Sequence, residues 1–497
     1  MDLITSLVYL SSGLFLGWSL GANDASNVFG SAVASRMVRF STAAFLCSFF
    51  VIVGAVTAGA GASAGLGQLG EVNALAGAFT TALAAAITVF SMTRLGLPVS
   101  STQAVVGAII GWNWFSGSIT DLNQLARIVG TWVFCPILAA LFAAALHAGA
   151  SAWIRWSRPH LLRLDANLRT GLLLAGIFGS YSLGANNIGN VMGMFADSSP
   201  FHTLLLPGGL LFTGVQQLFL LGAIAIAVGV YTYSRRVMLN VWASLMPLSP
   251  LAALMVVLAN SLVLFVFSSS PLSQALVRAG LPPIPLIPVS SSQAMVGAVI
   301  GIGLLQGWRG VRQIRWGMLL RIASGWITTP ISAALIGFLL LFVVQNVFNQ
   351  EVFRPVPYQL TPAVIEQLRE RGVVAVGLQP QPRPAPSAVA FRRQLRQEVH
   401  LDAASEAAVL EAARILPLQL DPQRIPQLDR RHLSDEQREA VRRLQGRSFR
   451  HPWQLREALA RQSTSWRAGG SDPHRLQAQI AYLERVFRRA EPPPSLP

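Results

Sequence analysis

Leu97 to Trp112, LPVSSTQAVVGAIIGW, returns almost unchanged as Ile287 to Gly303, IPVSSSQAMVGAVIGIG. A rare motif present twice marks a duplicated chain. Each copy sets a proline (Pro98, Pro288) ahead of a run of hydroxyls and a glutamine, followed by small and apolar residues suited to a short helix. This is how a broken helix presents its N-terminus, where the first amides lack intrahelical acceptors and carry partial positive charge. Ser100, Ser101, Thr102 and Gln103, with Ser290, Ser291, Ser292 and Gln293, could therefore surround an anion with neutral donors. Hydroxyls also cap and glue helices in membranes, so a single copy would decide nothing. Two copies at matching places in two halves favour a shared site at a repeat interface.

Composition fixes the medium. The 497 residues are 52% hydrophobic and 12% charged, which excludes an ordinary soluble globule and indicates a polytopic integral membrane protein. Apolar runs at Thr42 to Leu66, Val72 to Thr93, Leu125 to Ser151, Leu204 to Tyr231 and Ile322 to Val344 each exceed the roughly 20 residues that span a bilayer. Leu3 to Leu20 has no basic region before it and leads into GANDASN, so it is expected to be a retained span rather than a signal peptide. Cys47 and Cys135 lie far apart in apolar runs and suggest neither a disulfide nor a metal site.

Gly21 to Asn27, GANDASN, places small and polar residues where a span ought to continue, and Gly184 to Asn190, GANNIGN, repeats them. An interrupted helix is expected at both. Asp24 is the lone carboxylate of the membrane half flanked on both sides by spanning sequence, and an ionisable group at that depth is a functional candidate. The competing reading places it in a solvated interfacial loop. The two copies of this motif are 163 residues apart and the two Ser motifs 190, so the second half holds 27 extra residues, part of them expected in Ser268 to Pro285.

The net charge of +16 divides into +9 up to Gln350 and +7 beyond it, all of the positive charge from Arg. Positive-inside loops account for the membrane share without nucleic acid. Corresponding loops carry opposite signs: Arg36 and Arg39 against Asp197, Glu71 against Arg235 and Arg236, Asp121 against Arg309, Arg312 and Arg315. That alternation is expected of two inverted repeats. A cytoplasmic linker at Arg155 to Arg169 then places both termini outside.

The expected architecture is an all-α polytopic membrane protein with two inverted repeats, broken helices and Ser motifs at the midplane, plus a small helical C-terminal region. By residue, 1–154 is the first membrane repeat, 155–169 a basic linker and 170–348 the second repeat. A Pro-rich linker covers 349–388 and a soluble helical tail 389–497, with helices at Ala388 to Val399, Ala403 to Ile415, Ser434 to Leu444, Pro452 to Arg461 and Pro473 to Arg489. Ser434 and Asp472 read as N-caps. The tail shows no catalytic constellation; a regulatory or docking module and a weakly ordered tail fit it equally.

With GANDASN, GANNIGN, LPVSSTQ and IPVSSSQ in order, Met1 to Phe348 resembles the PiT family of inorganic phosphate transporters. The resemblance implies symport of inorganic phosphate driven by Na+ or H+, without another cofactor, in a multi-pass protein of the bacterial inner membrane. It implies that the eight Ser-motif residues hold the anion and that Asn23, Asp24, Asn186 and Asn187 meet the cation, with Asp24 a Na+ ligand if sodium is used. The lipid bilayer and phosphate are then the partners, and homo-oligomerisation is left open. This chain departs from the usual pattern at Asn187, where many relatives have Asp, and at Val51 and Phe219, where many have a carboxylate before a helix glycine. Related permeases are thought to carry sulfate, which only accepts hydrogen bonds at neutral pH. Asp24 can thus be a cation ligand or a phosphate discriminator. A sulfate permease is the nearest alternative, an anion channel the next, since hydroxyls can line a pore. An enzyme is the weakest option, as His147, His160 and His202 are scattered.

Overall fold

The computed structural model describes the chain except residues 1–2, 68, 71, 96–98, 200, 202–203, 207–209, 246–247, 374–376, 429–432, 468–472 and 489–497. Pro98, Glu71, His202 and Asp472 therefore lie outside the described residues. Two compact units form, Met1–Phe115 with Thr120–Phe353, and Ser116–Ile119 with Arg354–Pro497.

The first unit is helical. In the first half run α1 (Leu3–Asp24), α2 (Ser26–Ala34), α3 (Phe40–Gly67), α4 (Leu75–Arg94), α5 (Ser101–Ser116) and α6 (Leu122–Ser157). In the second run α7 (Leu161–Met192), α8 (Gly214–Thr232), α9 (Ser234–Leu245), α10 (Pro250–Ser268), α11 (Ser270–Arg278), α12 (Ser291–Leu305), α13 (Gly307–Gln313) and α14 (Trp316–Asn346). Their starts follow local chemistry: Asp121 accepts from the amides of Asn123 and Gln124, Thr213 and Gln216 form a capping box, and Ser249 caps α10 with Pro250 in its first turn. Among the described residues, seven helices are long and apolar enough to cross a membrane. The chain is an integral membrane protein.

Three expectations change. GANDASN interrupts its helix at Ala25 alone, which parts α1 from α2 while staying right-handed helical at φ −57° and ψ −25°, whereas GANNIGN leaves α7 continuous. Its glycines serve close packing instead. A Cβ at Gly21 would overlap the Ile226 carbonyl, and one at Gly184 the Val51 carbonyl; small residues let helix backbones approach in a membrane. Second, Leu204 to Tyr231 is not one span, because Leu204–Leu206 (β1) pairs antiparallel with Leu210–Phe212 (β2) before α8 begins. Third, the basic linker contracts to three residues between α6 and α7, turned by left-handed Arg158 at φ 43°. The extra length of the second half lies in the hairpin, in α9 and, as expected for part of it, in α11 inside Ser268 to Pro285.

The halves interlock. α1 packs on α8, α3 on α7 and α6 on α12. The contacts are reciprocal: Gly21 abuts Ile226 O and Gly184 abuts Val51 O, while Gly54 abuts Tyr181 O and Gly229 abuts Trp18 O. On the Ser-motif helices, Gly107 and Gly111 abut the carbonyls of Pro330 and Ala334 in α14, and Gly297 and Gly301 those of Pro136 and Ala140 in α6. Such pairing relates the halves by an approximate two-fold. It also aligns Val51 with Ile226, so Phe219 is not the counterpart of Val51, although all three are buried and apolar. The stretches expected as two repeats lie within one compact unit.

The second unit begins inside the expected linker. Thr361 caps α15 (Pro362–Glu370), and Leu360, Val364, Leu368, Leu378 and Ala385 share a core with Phe391, Leu395 and Val409. Helices follow at Ala388–Glu398, Ala403–Ala413, Asp435–Arg443, Pro452–Gln462 and Pro473–Phe487, with Ser434 and Gln437 forming a capping box. Glu406 is buried, paired to Arg396 at 2.9 Å and also to Arg392. The segment just before this unit belongs to the membrane unit instead, since Trp112 Nε1 donates to Val352 O at 3.1 Å and Tyr9 Oη to Gln350 Oε1 at 2.6 Å. Truncation after Phe353 is expected to leave the yield of folded, membrane-inserted protein near that of wild type, whereas truncation after Phe348 removes these acceptors and should lower it. Loss of folded protein on truncation after Phe353 would contradict this.

Candidate functional site

The two Ser motifs fold alike. Ser100 Oγ accepts from the Gln103 amide at 3.2 Å and Ser290 Oγ from the Gln293 amide at 3.3 Å, so the first hydroxyl of each motif is an N-cap. Ser101 and Ser291 then open α5 and α12, where helix geometry leaves the leading amides without intrahelical acceptors. The preceding valines are pinned by the small-polar motifs. Asn23 Nδ2 donates to Val99 O at 3.2 Å; Asn186 Nδ2 donates to Val289 O at 2.8 Å while Asn186 Oδ1 accepts from the Val289 amide at 2.9 Å. Asn186 thus has both amide atoms engaged on backbone and acts as a strut.

The motifs converge on Asp24. Its Oδ1 accepts from Asn23 Nδ2 at 2.8 Å and its Oδ2 from Asn187 Nδ2 at 2.8 Å, and Ser101 and Ser291, one from each motif, stand beside it. Every one of these partners is neutral. Asn186 Nδ2 also donates to Asn187 Oδ1 at 2.6 Å, mirroring the Asn23–Asp24 bond across the two-fold. Asp24 is 1% exposed and the eight Ser-motif residues are at most 4% exposed, so a solute reaches this place only when helices move.

Three further residues belong here that motif reading passes over. Asn27 Nδ2 donates to Ser291 Oγ at 3.0 Å, and its counterpart Asn190 to Thr102 Oγ1 at 2.9 Å, each crossing from one half to the other. Their signal was spacing: each lies four residues after the strut asparagine and so on the same helix face. Asn260 Nδ2 donates to Asn27 O at 3.2 Å; it lies in neither duplicated motif, and only its polarity within the apolar α10 marks it. The side-chain amide oxygens of Asn27, Asn190, Asn260, Gln103 and Gln293 are buried without a hydrogen-bond partner. Such atoms are costly to leave unmet, by about 1–3 kcal/mol each, and they suit a hard cation or the proton of an incoming solute. Ser290 Oγ and Ser292 Oγ share a hydrogen bond at 3.0 Å, and the Cys135 thiol lies 3.7 Å from Ser290 O. Among the described residues no cluster of three or more His, Cys, Asp or Glu could hold a metal, so a cation here would depend on one carboxylate and neutral oxygens.

The sequence profile of the Phosphate transporter family matches residues 20–337 and 286–378. The chain belongs to this family. Other members resemble this family chain over the same stretch. A Methanocaldococcus jannaschii protein named as a phosphate permease is 28% identical over 327 residues, covering 66% of this chain and 93% of its own. The Bacillus subtilis sulfate permease CysP is 27% identical over 337 residues, 66% of this chain and 85% of its own. A solved structure titled the sodium-dependent phosphate transporter superposes with a TM-score of 0.52 at 20% identity, covering 68% of this chain and 98% of that one, and so shares the fold of the membrane unit. The second compact unit lies largely beyond these likenesses.

Proposed function

We propose that the protein is a cation-coupled symporter of inorganic phosphate working by alternating access. The observation that carries this reading is the meeting of both Ser-motif helix ends at one buried carboxylate. Hydroxyls, amides and helix N-termini from Ser100, Ser101, Thr102, Gln103, Ser290, Ser291, Ser292 and Gln293 bind the dianion without a fixed Arg countercharge, which favours release on the far side. Asp24, with neighbouring oxygens of Asn23 and Asn187, takes the driving cation, and the names of relatives and of the similar structure favour Na+ over H+. A cation and an anion bound within a few ångströms stabilise one another electrostatically, which links their gradients. The near-complete burial of the site supports alternating access by movement of helices around it, with the repeats inverted across the membrane. The inner membrane of a bacterium is the proposed location.

Uptake of labelled phosphate into proteoliposomes tests this. Accumulation should require an inward Na+ gradient, and Ser291→Ala should weaken apparent phosphate affinity about tenfold or more, as expected for a hydrogen bond to a charged group. Equilibration without accumulation would point to a channel, and unaltered affinity in Ser291→Ala would remove the motif from the site. A second reading, sulfate permeation, is favoured by the likeness to the B. subtilis sulfate permease and by the loss of a second carboxylate at Asn187. Sulfate that accumulates where phosphate does not would establish it.

A further inference from the structure

The two Ser-motif helices end in the same turn. Gly117 follows α5 and Gly307 follows α12, each sixteen positions beyond the serine that opens its helix, and both are left-handed, at φ +70° and +67°. Their surroundings differ. A Cβ on Gly307 would meet nothing within 4 Å, whereas one on Gly117 would press at 3.1 Å on both Cβ and Oγ of Ser387. Ser387 is the N-cap of the helix at Ala388–Glu398 and accepts from the Ala390 amide at 3.2 Å. The Val389 amide, in the first turn of that helix, has no intrahelical acceptor; it donates to Gly117 O at 3.2 Å. A residue of the α5–α6 connection thus completes the cap of a helix in the C-terminal region, and residues 116–119 belong to the second unit rather than the first. Among the described residues, no backbone hydrogen bond from the second unit reaches the turn at Gly307.

We propose that the second unit is a one-sided restraint on α5: it holds the left-handed turn at Gly117, the hinge of this Ser-motif helix, leaves the matching turn at Gly307 free, and thereby slows transport. The restraint goes beyond the symport reading and rests on it only for the effect on transport. α5 is a single helix of 16 residues whose first turn carries Ser101, Thr102 and Gln103, so fixing one end limits the other. Movements of helices are absorbed at a few residues at their ends. A bond made in the closed arrangement and lost on opening favours the closed one. Where opening limits the cycle, removing that bond raises turnover. The duplicated halves are thus made unequal by a region that lies outside the duplication.

Hydrogen exchange of the full-length protein in nanodiscs, read by mass spectrometry, tests the restraint without any substrate. Val389→Pro deletes the donor and places a residue that the first turn of a helix accepts. Exchange across Ser101–Ser116 should quicken about threefold, on the order of one hydrogen bond, with α12 unchanged, and phosphate uptake into proteoliposomes should quicken by a similar factor. Gly117→Asn breaks the same tie from the other side by crowding Ser387, and supplies the test should Val389→Pro fail to fold. Asn tolerates a left-handed backbone, so Gly307→Asn, which crowds nothing, controls for the turn itself and should match wild type in exchange and uptake. In the double variant the effect should not grow, because both changes remove one tie. Unchanged α5 exchange in both single variants, or equal quickening of α5 and α12, overturns the restraint and leaves the symport reading intact. Quickened α5 exchange with unaltered uptake overturns its effect on transport. A wild type that moves neither phosphate nor sulfate, while α5 exchange responds as stated, overturns the symport reading alone.

Discussion

Gly107→Ala and Gly297→Ala are each expected to eliminate most folded protein. A Cβ at either position would overlap a backbone carbonyl, Pro330 O or Pro136 O, and its nearest neighbours are all backbone atoms of the facing proline. A flexible side chain could swing away; a helix backbone cannot, so α5 or α12 must lift from its partner. Overpacking costs about 1–3 kcal/mol where side chains can adjust and more where they cannot. In a membrane there is little hydrophobic drive to bring displaced helices back together. The Ser motif at the head of each helix would be carried off with it. Monodisperse protein in detergent size-exclusion chromatography measures the outcome. Gly130→Ala is the control, because nothing lies within 4 Å of its added carbon. Wild-type yield and uptake from Gly107→Ala would show that the interlocking contacts are not required.

Asp24→Asn is expected to abolish accumulation against a gradient while permitting slow equilibration. The substitution keeps size and burial, removes the one charge at the junction of the motifs and sets an NH2 against the donors of Asn23 or Asn187. Driven uptake should fall at least a hundredfold, on the order of the 3 kcal/mol lost when a buried charge partner disappears. The check is the steady-state ratio of internal to external phosphate, which should approach unity under a sodium gradient. A ratio still well above unity would assign the coupling cation elsewhere.

The Ser motifs are legible in the sequence because duplication repeats an improbable string, and the proline and hydroxyls specify a helix start by themselves. Asp24 is legible because charge is rare at membrane depth. Other features depend on partners distant in the chain. Gly184 reads as a breaker by propensity, yet the Val51 carbonyl that presses on it lies in the other half. α7, one of the longest helices, falls short of the apolar threshold for a span because its buried face carries Ser180, Ser182, Asn186, Asn187 and Asn190. Asn260 gains meaning only from its bond to Asn27 O, 233 positions away. Residues 354–388 look like a linker because proline and charge dominate them, while the few apolar residues that fold them into the second core are widely spaced.

Interlocking also has a consequence for biogenesis. α5 finds its backbone partner in α14, the last helix of the membrane unit, and α3 finds its own in α7. During synthesis the first six helices must therefore wait in the bilayer with their small-residue faces open until the remainder has been inserted. A half-length precursor of such a chain would have met the same need by pairing with a second copy of itself, and fusion would then have joined the two copies across the three residues that now separate α6 from α7. With the chain severed there and the pieces co-expressed, the glycine faces should still find each other.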